Sequence, residues 1–351
     1  DLMNFTIIGG GLAGASIGYH LIKLGNAVTI YDREDKGQAT FASAGIVCPW
    51  ISQRRNKKWY RLVTKSAHYY PEFIRTLEQE TGQNTGYKNS GVVCLFKENI
   101  FDKATKRISD KAIDNPDVGV VRQLSTNELT ELHPSLTTEY PALIVEGGGQ
   151  VRGAKLLAAL KAAFIEHGGS WKNASYEGND HDSDSLKIYT TGAWGAEQNN
   201  QPEIAHQRAE IMHFKLLNQK TNQSPVVMAL GPTYIVHLED DQYVIGTTHI
   251  DTESFDTTPT EESYEYLKEE LYKYFKPEDV EIVKMGVGLK PYTRDFLPFI
   301  GYVDENTFVV NGMGSTGLTA SPFVGSEVAK LLNNLPVELD FDDYNYVEPQ
   351  S

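Results

Sequence analysis

The sequence predicts an α/β fold of two domains, and three observations lead there. Residues 5–32, FTIIGGGLAGASIGYHLIKLGNAVTIYD, read as strand, glycine turn, helix, second strand and acid. A second glycine run, VVNGMGSTGLTASPF at 309–323, follows another apolar strand pattern, yet beyond Gly317 the sequence runs only to Ser351. The length of 351 residues, 40% hydrophobic and 23% charged, suffices for two buried cores.

In the first unit Phe5, Ile7 and Ile8 supply the apolar bulk of a buried strand. Leu12, Ala15, Leu21 and Leu24 recur at helical spacing, and Gly25 suits a helix stop. Gly9 permits the tight turn, Gly11 lets backbone approach a pyrophosphate, and Gly14 lets the helix pack close on the strand. Amides at the helix start then face phosphate oxygens, helped by the helix dipole. Asp32, closing the second strand, is placed to accept hydrogen bonds from ribose hydroxyls, which disfavours a 2′-phosphate. The unit binds a dinucleotide, and on its own it is compatible with NAD or FAD.

The second run has strand character at 308–310 and the same spacing at Gly312, Gly314 and Gly317. No buried strand with a ribose-binding acid follows, so it does not found a second dinucleotide fold. Ser321 as N-cap and Pro322 at the first helical position predict a helix from there through FVGSEVAKLL. The expected role is a late strand returning to the first domain, its glycines and helix start lying against the cofactor.

A net charge of −15 argues against nucleic acid or an anionic membrane as partner. No apolar run approaches the ~18 residues of a membrane span. Cys48 and Cys94 form no metal-like spacing, no metal site is expected, and a reducing cytoplasm is the expected compartment. The N-terminus shows no basic head or cleavage pattern of a secretion signal. The nine histidines are scattered, and a homo-oligomer is left open.

Taken together, these stretches resemble the FAD-dependent D-amino-acid oxidase superfamily, in its glycine oxidase and sarcosine oxidase-like branch. The N-terminal unit, ATFASAGIVCP at 39–49, GYKNSGVVCLF at 86–96, ELTELHPSL at 128–136 and GGGQVRGAKLLAALKAAFIEHGG at 147–169 fall in the family's order. IYTTGAW at 188–194, TYIVHLEDDQYVIGTTHIDTESFD at 233–256, GVGLKPYTRDFLPFIG at 286–301 and the late glycine run complete it. Gly153 stands where the family usually has proline. Both glycine runs then serve one FAD, the first at its pyrophosphate and the second at its ring.

The resemblance implies a Rossmann-type FAD domain of 1–84, 142–196 and 286–351, interleaved with an antiparallel-sheet substrate domain of 85–141 and 197–285. It implies noncovalent FAD, since no cysteine follows Cys94. The cofactor would contact Gly9, Gly11, Leu12, Ala13, Gly14, Asp32 and Arg33, then Thr40, Ser43, Ala44, Gly45 and Ile46. It would further contact Thr191, Gly192, Trp194, Gly312, Gly314, Ser315, Thr316, Gly317, Leu318 and Thr319. The implied reaction takes hydride from an amine or amino acid to flavin N5, leaving an imine that hydrolyses, with oxygen or another electron acceptor reoxidising the flavin.

For the substrate, Lys290 stands where relatives place an arginine clamp on a carboxylate, Ser315 where another arginine can stand, and Tyr234 matches a carboxylate-binding tyrosine. Lysine keeps the charge but loses the fork. A non-catalytic flavin protein and an NAD-linked dehydrogenase are the alternative readings. The stretch EGNDHDSDS at 177–185 is acidic and too short for a strand pair that relatives carry there.

Overall fold

A computed structural model describes residues 3–178, 184–198, 201–218 and 223–345. The opening unit forms as expected: β1 (Asn4–Ile8), α1 (Leu12–Lys23) and β2 (Ala27–Tyr31), with Phe5 opposite Val28 and Ile8 opposite Tyr31 in parallel register. After β3 (Ile46–Val47) comes α2 (Lys57–Thr81), capped by Asn56, whose side chain accepts from the amides of Lys58 and Trp59. Next are β4 (Val92–Leu95), α3 (Glu98–Asp110), β5 (Val121–Leu124), α4 (Thr126–Leu132), β6 (Ala142–Val145), β7 (Gly149–Gln150) and α5 (Gly153–Glu166). Then follow β8 (Ser170–Lys172), β9 (Leu186–Tyr189), β10 (Ala205–Leu216), β11 (Val226–Met228), β12 (Tyr234–Glu239), β13 (Gln242–Gly246) and β14 (Ile250–Thr252). The chain closes with α6 (Glu261–Tyr274), β15 (Val280–Tyr292), β16 (Phe299–Asp304), β17 (Thr307–Asn311) and α7 (Gly317–Leu332).

The strands form two main sheets. One has the order β16-β17-β9-β1-β2-β8, parallel except for the β16–β17 hairpin. The other runs β14-β10-β13-β12-β11-β4-β6-β5, with β15 paired to β10. It is antiparallel except at β4–β11. β3 and β7 form a separate two-stranded pair.

Two expected boundaries shift. β6 lies in the antiparallel sheet, so the return expected at 142 comes after that strand, and β15 crosses the boundary expected at 285/286 without a break. Part of the stretch 177–185, at 179–183, lies outside the described residues; β8 and β9 flank it.

The start expected for the last helix also needs correction. α7 begins at Gly317, with Thr316 before it, so Ser321 and Pro322 lie inside the helix. Pro322 has no amide hydrogen and leaves the carbonyl of Leu318 without its helical donor. The hydroxyl of Tyr70, a fully buried residue on α2, donates to that carbonyl at 2.5 Å. A partner 248 residues away therefore lets the helix run through its proline.

Gly153 opens α5, where proline would ordinarily fit. A β-carbon there would sit 2.7 Å from the carbonyl oxygen of Thr40, which accounts for glycine in this chain.

Replacing Tyr70 by Phe should cost about 1–3 kcal/mol, the penalty of a buried group left without its hydrogen bond. Urea unfolding should show a lower midpoint with an unchanged slope; an unchanged midpoint would mean the Leu318 carbonyl needs no such donor.

Candidate active site

The C-terminal ends of β1 and β9 and the N-termini of α1 and α7 meet around one cavity of about 1290 Å³, including its open mouth. Close backbone packing makes the first wall. Gly9 has φ +111°, and a β-carbon on it would lie 2.3 Å from the carbonyl oxygen of Thr190. One on Gly14 would lie 1.9 Å from the carbonyl oxygen of Gly9. The Thr190 hydroxyl donates to Gly9 O at 2.7 Å and ties β9 to the turn. Gly11 differs: a β-carbon there meets nothing nearer than 4.0 Å and would project into open space.

A second wall is the late glycine run. Asn311 Nδ2 donates to Gly192 O at 2.9 Å, and Asn311 Oδ1 accepts from the Gly312 amide at 2.7 Å. This buried side chain fastens the run to the turn after β9. Gly312, at φ +80°, packs against Thr293. Neither α1 nor α7 carries a side-chain cap or an acid in its first turn. Their free amides and positive dipole ends remain available to an anion or a polarised carbonyl.

At the far end Asp32 faces the cavity. Burial raises its carboxyl above the usual range, against the amides of Glu34 and Gly10 and the Gln38 side chain. Arg33 is paired with Asp35 at 2.6 Å and with Glu197 at 2.7 Å, so its charge is already answered.

Of the residues expected at the cofactor, Gly9, Gly11, Leu12, Ala13, Asp32, Arg33, Thr40 and Ser43 line the cavity. So do Thr191, Gly192, Trp194, Gly312, Gly314, Ser315, Gly317 and Leu318. Gly14, Ala44, Gly45, Ile46, Thr316 and Thr319 stand behind that wall; Thr319 donates from its hydroxyl to Ile46 O at 3.2 Å. Lys290 is on the wall, 6% exposed. Its ammonium makes no hydrogen bond or ion pair among the described residues, and burial lowers it to about 8. Tyr234 is buried in the antiparallel sheet beside Thr247 and Gly246, not on the cavity wall.

Sequence reasoning missed Gln38, Asn311 and 174–176 as wall residues. Asn311 carried a signal, a polar residue ending an apolar strand before glycine; 174–176 carried none, since only the fold brings them near Tyr31. Cys48 and Cys94 are both buried and free, and neither lines the cavity.

FAD fits this cavity on its own evidence: Gly11 leaves open room where a diphosphate must approach, and two uncapped helix starts converge there. The family of FAD dependent oxidoreductases, DAO, matches residues 4–331. The chain belongs to this family.

This FAD-dependent oxidoreductase is similar to the oxidoreductase YurR of Bacillus subtilis (strain 168), 34% identical over 98% of each chain. It is 26% identical to the glycine oxidase of Geobacillus kaustophilus (strain HTA426), over 97% of this chain and 95% of that one. The solved iminodiacetate oxidase from Chelativorans sp. BNC1 superposes with a TM-score of 0.92 at 30% identity, covering 99% of this chain and 100% of the other. Among the described residues no helix is long and apolar enough to cross a membrane.

The contrast between two glycines gives a test. Gly11→Val should fold with a normal melt yet bind FAD at least about tenfold more weakly, whereas Gly14→Val should lose stability as well. Flavin absorbance per protein and thermal unfolding separate the two; full FAD content in Gly11→Val would remove that turn from the cofactor site.

Proposed function

We propose that this oxidoreductase oxidises the C–N bond of a small amino acid of the glycine, D-amino-acid or N-substituted glycine type, with FAD held noncovalently. Lys290 carries this reading. A cation 6% exposed on the cavity wall, without an acceptor among the described residues, is poised for an anion supplied by the substrate. The relatives named glycine oxidase and iminodiacetate oxidase act, by those names, on molecules with an amine one carbon from a carboxylate. That spacing suits a carboxylate anchored on Lys290 with the carbon beside it held toward the ring.

Bound FAD supplies the hydride acceptor. The protein's own part is positioning: Lys290 anchors the carboxylate, and Ser315, exposed within the late glycine run, adds a neutral hydrogen bond. Leu12 and Leu318, on the cavity wall, belong to a closely packed apolar cluster that excludes water from that side. Noncovalent attachment is supported by two cysteines buried away from the cavity. No residue here need act as a strong base, provided the amine arrives neutral. An imine product would hydrolyse in water, and oxygen or another electron acceptor would reoxidise the flavin.

Mixing the yellow protein anaerobically with primary and secondary amino acids tests the reading; loss of the oxidised flavin spectrum with at least one is expected. Bleaching by none of them would overturn it. Lys290→Met should weaken a carboxylate inhibitor by about 1.5–3 kcal/mol, or 10- to 150-fold. Because Lys290 is protonated below about 8, inhibitor affinity should hold below that pH and fall about tenfold per unit above it. A flat profile across pH 7–10 would take Lys290 out of the anion's reach.

A further inference from the structure

The antiparallel sheet reaches the cavity wall through one loop. Residues 253–260 join β14 to α6, and three alternating side chains of β10 hold them. His206 Nε2 bonds the carbonyl of Ser254 at 2.8 Å, and the Arg208 guanidinium donates to the carbonyls of Asp256 and Thr258. Glu210, fully buried, accepts from the amide and the hydroxyl of Thr260 at 3.0 and 2.8 Å and lies 3.3 Å from Arg208. A buried arginine or glutamate is costly unless it is paired and hydrogen-bonded. Here the loop supplies those bonds, so strand and loop form one unit.

The loop meets the cavity's wall at two points. Phe255 stacks on Trp194, with ring centroids 5.7 Å apart and 24° between the planes, and it also lies 4.7 Å from the His206 ring. Trp194 lines the cavity and Phe255 does not, so Phe255 backs that wall from outside. Thr257 packs on Gly37, where a β-carbon would lie 2.6 Å from its Cγ2. The next residue, Gln38, donates to Asp32 at 3.3 Å and bridges to Leu289 on β15. Phe255 is 42% exposed and belongs to no buried apolar cluster among the described residues. What holds its ring is the contact with Trp194 and His206.

We propose that Phe255 is a positioning residue for the cofactor: it steadies Trp194 against bound FAD. A freed indole would regain rotamer freedom that binding must then remove, so FAD is held more tightly when Trp194 is already fixed. Retention of the cofactor thus depends on a loop that the antiparallel sheet carries. The same β10 sets Gln207 opposite Lys290, so one strand anchors the brace of the cofactor wall and flanks the buried cation. The role requires FAD, the family's cofactor, and holds whichever substrate is oxidised.

Serial dilution of the FAD-loaded protein, with released FAD followed by its fluorescence, tests this without turnover. Loss of one aromatic stack in Phe255→Leu should raise the FAD dissociation constant about 2- to 12-fold. Phe255→Tyr, which keeps the ring, should match the parent. Trp194→Leu should also weaken retention, and adding Phe255→Leu to it should bring no further loss, because the two rings act as one pair. An unchanged constant in either leucine variant, an equal loss in Phe255→Tyr, or additive losses in the double variant would each overturn the role. Because Phe255 fills no core, Phe255→Leu should keep the parent's urea midpoint in excess FAD. A lower midpoint there would make Phe255 a part of the fold and not of the cofactor site, which also overturns the proposal.

Discussion

Helices α1 and α7 touch backbone to backbone, and the cofactor site depends on that contact. A β-carbon added at Gly325 would lie 2.6 Å from the carbonyl carbon of Ser16. Such an approach sets two helices side by side with little freedom to slide. It also brings two uncapped N-termini, more than 300 residues apart in sequence, to one cavity. One chain carries two glycine runs because each opens one of these paired helices.

Much of this was legible wherever chemistry is local. The first unit and the close packing at Gly9 and Gly14 followed from spacing alone, since β1, α1 and β2 form a contiguous segment. α6 obeys the same local rule, with Leu267, Leu271 and Tyr274 at helical spacing and buried. Reading failed where a distant residue decides the outcome. Ser321 and Pro322 carry a strong local signal for a helix start, and Tyr70 overrides it. The membership of β6 could not be read because its pairing with β4 and β5 depends on sheet order, which no periodicity records.

The substrate end was half legible. A lysine in place of an arginine clamp announced a charge without a fork, but its burial and lack of a partner are properties of the fold.

The ion pair between Arg33 and Glu197 has a consequence for the cavity's rim. Arg33 follows β2, while Glu197 ends the turn that Asn311 fastens at its other end, so the pair ties together two segments that line the cavity. Both side chains are well exposed, at 38% and 43%, and bulk electrolyte screens such a pair. Concentrated salt should thus slacken the tie between those two segments, by no more than about 1 kcal/mol.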